Sequence, residues 1–218
     1  MTEKPYIALD TEFLRERTYY PQLCLVQMAY ATGDATLLDP IKGDDLSALD
    51  AVLFDPAIVK VFHAGRQDLE IFVKLYGRVP APLFDTQVAA MALGYGESVA
   101  YATLVADVCH HTIDKAQQFT DWSYRPLKPE QLSYAADDVL YLRRVYEHFA
   151  AELTRLDRWD WFADEMAPLE ALATYNPDPE SAWERIKIRS DKPPVLAVLR
   201  ALAAWREREA QRRDIPKG

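Results

Sequence analysis

One apolar run carrying two carboxylates, YIALDTEF over residues 6–13, constrains this chain more than any other stretch. The run predicts a strand, and a strand sends residues i and i+2 to the same face. Asp10 and Glu12 then stand side by side with Tyr6 and Ala8 behind them, while Ile7, Leu9 and Phe13 take the opposite face. Two like charges on one sheet face repel unless something positive lies between them. A metal ion answers that requirement.

QLCLVQMAYA and TLLD read as the next two strands, joined by the turn TGD. LSALDAVLF has helical spacing, and IVKVFHA reads as a buried strand ending at His63, Ala64 and Gly65. The helix DLEIFVKLYG closes on a glycine suited to a C-cap, and the short strand LFDT runs into a second glycine-closed helix, QVAAMALGYG. Residues 101–127 combine a helix with an irregular loop, and Pro129 opens the next helix at a favourable early position. Strands first and helices alternating afterwards predict an α/β fold with a mixed sheet.

That next helix carries Ala135, Val139, Leu142, Tyr146, Phe149 and Leu153 at alternating four- and three-residue spacing, an apolar stripe for the core. Asp138 borders the stripe, with Tyr134 one turn before it on the same face, whereas Asp137 lies further round as a solvated neighbour. Asp10, Glu12, Asp68 and Asp138 thus come from separate elements. Four converging carboxylates can hold two divalent cations, and hard oxygen ligands suit Mg²⁺ or Mn²⁺. Such a pair serves in-line phosphoryl displacement.

Composition narrows the partners. The net charge is −9, yet residues 182–218 carry ten Lys and Arg against five Asp and Glu, while the rest carries fifteen against twenty-nine. An acidic body with a basic tail admits a polyanion through local patches. Cys24 and Cys109 have no metal-type spacing and read as buried free thiols. No apolar run reaches bilayer length and the amino terminus lacks a secretory pattern, so a cytoplasmic location without membrane association is expected. No phosphate-binding G-x-x-x-x-G-K-[ST] loop occurs, and His110 and His111 read as a helix end without zinc spacing.

The order D-x-E, then D, then Y-x-x-x-D resembles the tyrosine-bearing branch of the DEDD exonuclease superfamily. The strings IALDTEFLRERTYYPQLCLVQMA, VFHAGRQDLEIF, LFDTQVAA, YATLV and TDWSYRPLKPEQLSYAADDVLYL resemble bacterial ribonuclease D, over essentially residues 5–215. The resemblance implies a ribonuclease-H-like fold with a mixed central sheet, flanking helices and a helical C-terminal extension. It implies 3′–5′ hydrolysis of RNA to nucleoside 5′-monophosphates with two divalent ions. Asp10, Glu12, Asp68 and Asp138 become the expected metal ligands, and Tyr134 the residue that orients the attacking water. RNA with a single-stranded 3′ end is the expected partner, tRNA precursors among them. An exonuclease domain is expected over 1–155, a helical extension and linker over 156–190, and the start of an incomplete HRDC-like module over 191–218, with Leu196 to Ile215 similar to its beginning. The basic helix from Arg200 to Arg213 is expected to be a partly solvated face.

Around these acids several residues read two ways. Phe13 could stack on the terminal base or join the core. His63 could meet a nucleotide or be a satisfied core histidine. Asp85 could cap the helix after LFDT or support the site. Trp122 and Arg125 could line the RNA path or anchor a packed loop. The competing functions are a DEDD exonuclease preferring DNA and a catalytically silent RNA-binding protein; the intact acids speak against the latter.

Overall fold

A computed structural model describes residues 4–190 and 192–217. The first three residues lie outside it, as do both ends of the expected terminal module, Asp191 and Gly218. Strand β1 (Tyr6–Leu14) is followed by β2 (Gln22–Tyr30), β3 (Thr36–Leu38), helix α1 (Ser47–Leu53), β4 (Val59–Phe62), α2 (Arg66–Tyr76) and β5 (Leu83–Asp85). Then come α3 (Thr86–Leu93), α4 (Tyr101–Cys109), α5 (Pro129–Arg155), α6 (Trp159–Glu170), a 3₁₀ helix over Pro179–Arg185 and α7 (Pro193–Arg213). Among the described residues, no helix is long and apolar enough to cross a membrane.

The sheet order is β3-β2-β1-β4-β5, so the acid-bearing strand lies in the middle. It pairs antiparallel with β2 on one side and parallel with β4 on the other. The parallel β4–β5 pair is linked by α2, the helical crossover that a parallel connection needs. Ile7, Ala8 and Leu9 are fully buried among Val61, Leu69, Phe72, Val139 and Phe149, so the first half of β1 is anchored in the main core.

The register of β1 on β2 slips between Glu12 and Phe13, where Glu12 faces Leu25 and Phe13 faces Leu23. Cys24 is the extra residue. Such a bulge bends the strand that carries it, here β2, and shifts the partner of Phe13 by one residue. Cys24, fully buried, joins Leu25, Trp122, Leu127 and Ala135 in a second small cluster. Cys109 is only half-buried.

Helix α5 packs across β1 and β2. Pro129 occupies its first turn, and the Gln131 side chain accepts the Lys128 N–H at 3.0 Å while donating to Thr120 Oγ1 at 3.0 Å. The buried stripe is as expected for Ala135, Val139, Leu142, Phe149 and Leu153, with Val145 and Asp138 added. Tyr146 is half-buried instead, its ring 4.4 Å from Tyr6 and 4.8 Å from Phe84.

Helix α7 packs on the Pro179–Arg185 turn. Its buried Glu207 accepts the Tyr19 hydroxyl from the β1–β2 loop, and Gln211 Nε2 donates to the same phenol at 3.1 Å. Its outward residues Val198, Leu202 and Trp205 are exposed.

Candidate active site

Asp10 and Glu12 are half-buried where β1 runs out of the core. Asp138 enters from the third turn of α5 and is buried. One carboxylate oxygen from each of Asp10, Glu12 and Asp138 lies within 4.8 Å of the other two. Burial, and next the Asp138 charge, hold the Asp10 carboxyl well above its ordinary range. Burial, then the charges of Asp10, Asp138 and Asp68, push Glu12 up to about 10. Burial pushes Asp138 up to about 7, against a hydrogen bond from Tyr134.

The trio fits a divalent cation. Hard ions take carboxylate oxygens at about 2.0–2.6 Å, so two ligands on opposite sides of one ion stand about 4–5 Å apart. A further observation points the same way. Gln27 lies directly across from Asp10 on β2, fully buried, with neither Oε1 nor Nε2 partnered among the described residues. Paired antiparallel residues share a sheet face, so this amide is set under the acids. Leaving such a group unpaired costs about 1–3 kcal/mol, a cost that water on a cation bound at the acids would offset.

Asp68 stands outside the trio. It is buried in the first turn of α2, where burial and then the Asp10 charge raise its carboxyl well above the ordinary range. The Thr11 hydroxyl donates to its Oδ1 and holds it beside β1. Its position depends on the turn before α2. Ala64 adopts a left-handed φ of 52°, and a side chain at Gly65 would meet Phe62 Cβ at 2.5 Å. Asp85 fastens this turn, accepting from the N–H groups of Ala64 (3.0 Å), Gly65 (2.8 Å) and Gln87 (2.8 Å).

Tyr134 is half-buried one turn before Asp138, its ring 6.2 Å from that of Trp122. Burial first, then the charges of Asp138, Glu12 and Asp10, raises its phenol far above 10, so it stays protonated and donates to Asp138.

Three residues that read two ways from the sequence are spent on internal contacts. Asp85 is buried and spent on the turn and on the cap of α3, which joins its two readings into one structural role. Trp122 is 2% exposed in the second cluster. Arg125 has no donor to offer: Nε and Nη2 bind Asp39, both at 2.7 Å, and the rest reach the carbonyls of Cys24, Trp122 and Tyr124. All five N–H groups are used. Both residues are loop anchors, and Arg125→Ala, by leaving the buried Asp39 with only Lys42 as a partner, is expected to cost about 3 kcal/mol of stability in a urea titration. A cost below about 1 kcal/mol would mean a solvated pair.

His63 lies half-buried with Nδ1 3.0 Å from Thr86 Oγ1 and its ring 5.2 Å from Tyr101. Burial lowers it to about 4, so it is neutral at physiological pH and no phosphate cation. Phe13 is half-buried at the bulge, next to the acids. Sequence reasoning missed Thr11, whose hydroxyl donates to Asp68, and Tyr101, whose hydroxyl donates to the Asp138 carbonyl. Gln27 had a visible signal, a lone amide inside an apolar strand.

Residues 1–154 match a family model described as 3′–5′ exonuclease. The chain belongs to the 3′–5′ exonuclease family. Within that family it is 51% identical over 217 residues to ribonuclease D of Acidiphilium cryptum, a match covering all of this chain and 55% of that protein. The chain thus spans about half the length of the curated relatives it matches. The crystal structure of Escherichia coli RNase D, described as an exoribonuclease involved in structured RNA processing, superposes with a TM-score of 0.86 at 39% identity. It covers 98% of this chain and 57% of that one. Brucella melitensis NrnC with bound Mg²⁺ gives 0.68 at 28% identity, covering 86% and 90%. The five-stranded mixed sheet with flanking helices is the ribonuclease-H-like exonuclease fold, with a helical C-terminal portion.

Proposed function

We propose that this chain hydrolyses RNA from its 3′ end, releasing nucleoside 5′-monophosphates, with Asp10, Glu12, Asp138 and Asp68 holding two divalent ions, Mg²⁺ or Mn²⁺. The observation that carries this reading is the trio of oxygens within 4.8 Å from two distant elements, with Asp68 beside Asp10. Asp10, adjacent to both the trio and Asp68, is the residue placed to serve both ions. Bound divalent ions supply acidification of the attacking water and neutralisation of the leaving oxygen in such a hydrolysis.

The chain's own groups do the rest. Tyr134 donates its phenolic proton to Asp138, so the lone pairs of its oxygen are free to accept from the attacking water and aim it at phosphorus. Water adds, the P–O3′ bond breaks, and the shortened strand keeps a 3′ hydroxyl. His63 and Phe13, both half-buried, would form uncharged walls for the terminal nucleoside. Structured RNA with a short single-stranded 3′ end, tRNA precursors included, is the proposed partner.

The test is stepwise shortening of a 5′-labelled RNA with a 3′ overhang, in Mg²⁺ or Mn²⁺, beside a DNA strand of the same sequence. RNA is expected to be degraded faster. Equal or faster loss of DNA would overturn the substrate assignment, and tight RNA binding without cleavage would favour the silent binding protein.

A further inference from the structure

A second cleft, about 310 Å³ in volume, opens between the β1–β2 loop, the start of α2 and the C-terminal segment. Its walls carry Arg15, Arg66, Arg185 and Lys217 against one lining carboxylate, Glu70. Arg15 is held by Glu70 through two bonds of 2.7 and 2.9 Å, and Lys217 by the buried Glu207 at 2.7 Å. Arg66 and Arg185 are exposed and make no salt bridge within 4.0 Å among the described residues, although the Arg185 charge acts on the buried Glu207. Two guanidinium forks without a direct carboxylate contact in one cleft are a phosphate-recognition chemistry.

The cleft shares two chain segments with the acids, the end of β1 and the first turn of α2. Arg15 follows Glu12 by three residues, about 10 Å at about 3.3 Å per extended residue. Arg66 precedes Asp68 by two, about 3 Å of helix axis. Two of the four cations come from the acidic body and two from the basic tail. A chain with net charge −9 has no overall attraction for a polyanion, so a strand held at an acid cluster needs a local cationic grip.

We propose that this cleft receives backbone phosphates of the RNA strand upstream of its 3′ end, Arg66 and Arg185 gripping them from the body and tail sides. The proposal rests on the exoribonuclease reading for the direction of the strand. It separates end recognition at the acids from strand retention in the cleft.

The test compares the parent chain with Arg66→Ala/Arg185→Ala and with Arg66→Lys/Arg185→Lys, on a dinucleotide and on a dodecameric single-stranded RNA. Both side chains are exposed, so the melting temperature is expected to hold. For the alanine pair, KM on the dodecamer is expected to rise about tenfold with kcat retained, dinucleotide hydrolysis unchanged, and partial recovery in the lysine pair. Binding of labelled dodecamer without divalent ion, followed by anisotropy, should lose about 1.4 from its log–log salt slope, about 0.7 per phosphate contact. That binding arm reads the cleft even if the parent cuts no RNA, so failure of the activity and failure of the cleft are distinguishable. An unchanged salt slope, or equal loss on both substrates, would overturn the proposal. So would a melting shift with inorganic phosphate or a nucleoside monophosphate that the alanine pair abolishes while RNA binding stays intact, since the cleft would then be a free-anion site.

Discussion

Asp10→Asn is expected to end RNA hydrolysis and, without divalent ions, to make the protein more stable. The two effects share one cause. Asp10 faces Asp138 and Glu12 within 4.8 Å, and its carboxyl is held well above the ordinary range by burial and by the Asp138 charge. A group whose folded pKa exceeds its unfolded value keeps a proton on folding, so its contribution is favourable at low pH and is lost as pH rises through the folded value. Between about 4 and the raised values, about 7 for Asp138 and about 10 for Glu12, the metal-free protein is expected to lose stability steadily. Asparagine removes one charge and flattens that decline. It also removes the ligand proposed to serve both ions, whose charge stabilisation is worth several kcal/mol, so the rate should fall about 10³-fold or more. In the parent, Mg²⁺ at a hundred times its Kd should add about 2.7 kcal/mol, raising the melting temperature by about 5–11 °C. Thermal scans from pH 5 to 9 with and without Mg²⁺ check both effects. A metal-free Asp10→Asn less stable than the parent at pH 8 would mean the acids are not crowded as described, and a rate within about tenfold of the parent would remove Asp10 from the chemistry.

Tyr134→Phe is the second large effect, and it differs in kind. Its phenol stays protonated and is bonded to Asp138, so the substitution takes away a hydrogen bond and the oxygen proposed to orient water, no ligand. The expected result is a fall in kcat of about 10²-fold with KM nearly unchanged, as for misplacement of a nucleophile. The Mg²⁺-induced melting shift should survive, unlike in Asp10→Asn. Since the phenol is not ionised below pH 10, the parent's rate should show no alkaline limb assignable to it. A rise in KM with kcat intact would make Tyr134 a binding residue instead.

Much of this site could be read in the residues before any coordinates. Period-two alternation put Asp10 and Glu12 on one face, and helical spacing put Tyr134 and Asp138 one turn apart beside the buried stripe. Both are local rules, and both operate over a few residues. What escaped was set by distant partners. Nothing near Arg125 in the chain announces that Asp39 takes its Nε and Nη2 donors, and the bulge at Cys24, which shifts the partner of Phe13, is a property of two strands together. The Thr11 hydroxyl that holds Asp68 is likewise a contact between residues far apart in the chain.

The cluster that defines the site joins residues 10 and 12 to residue 138, at opposite ends of the folding unit. During synthesis at about 5–20 residues per second, about 6–25 s pass between the emergence of the first acids and that of Asp138. Through that interval the nascent chain lies beside messenger and transfer RNA with its acids unassembled. Wide spacing along the polypeptide thus acts as a timer, keeping the proposed RNA-cutting centre unassembled until the strand and the long helix have met.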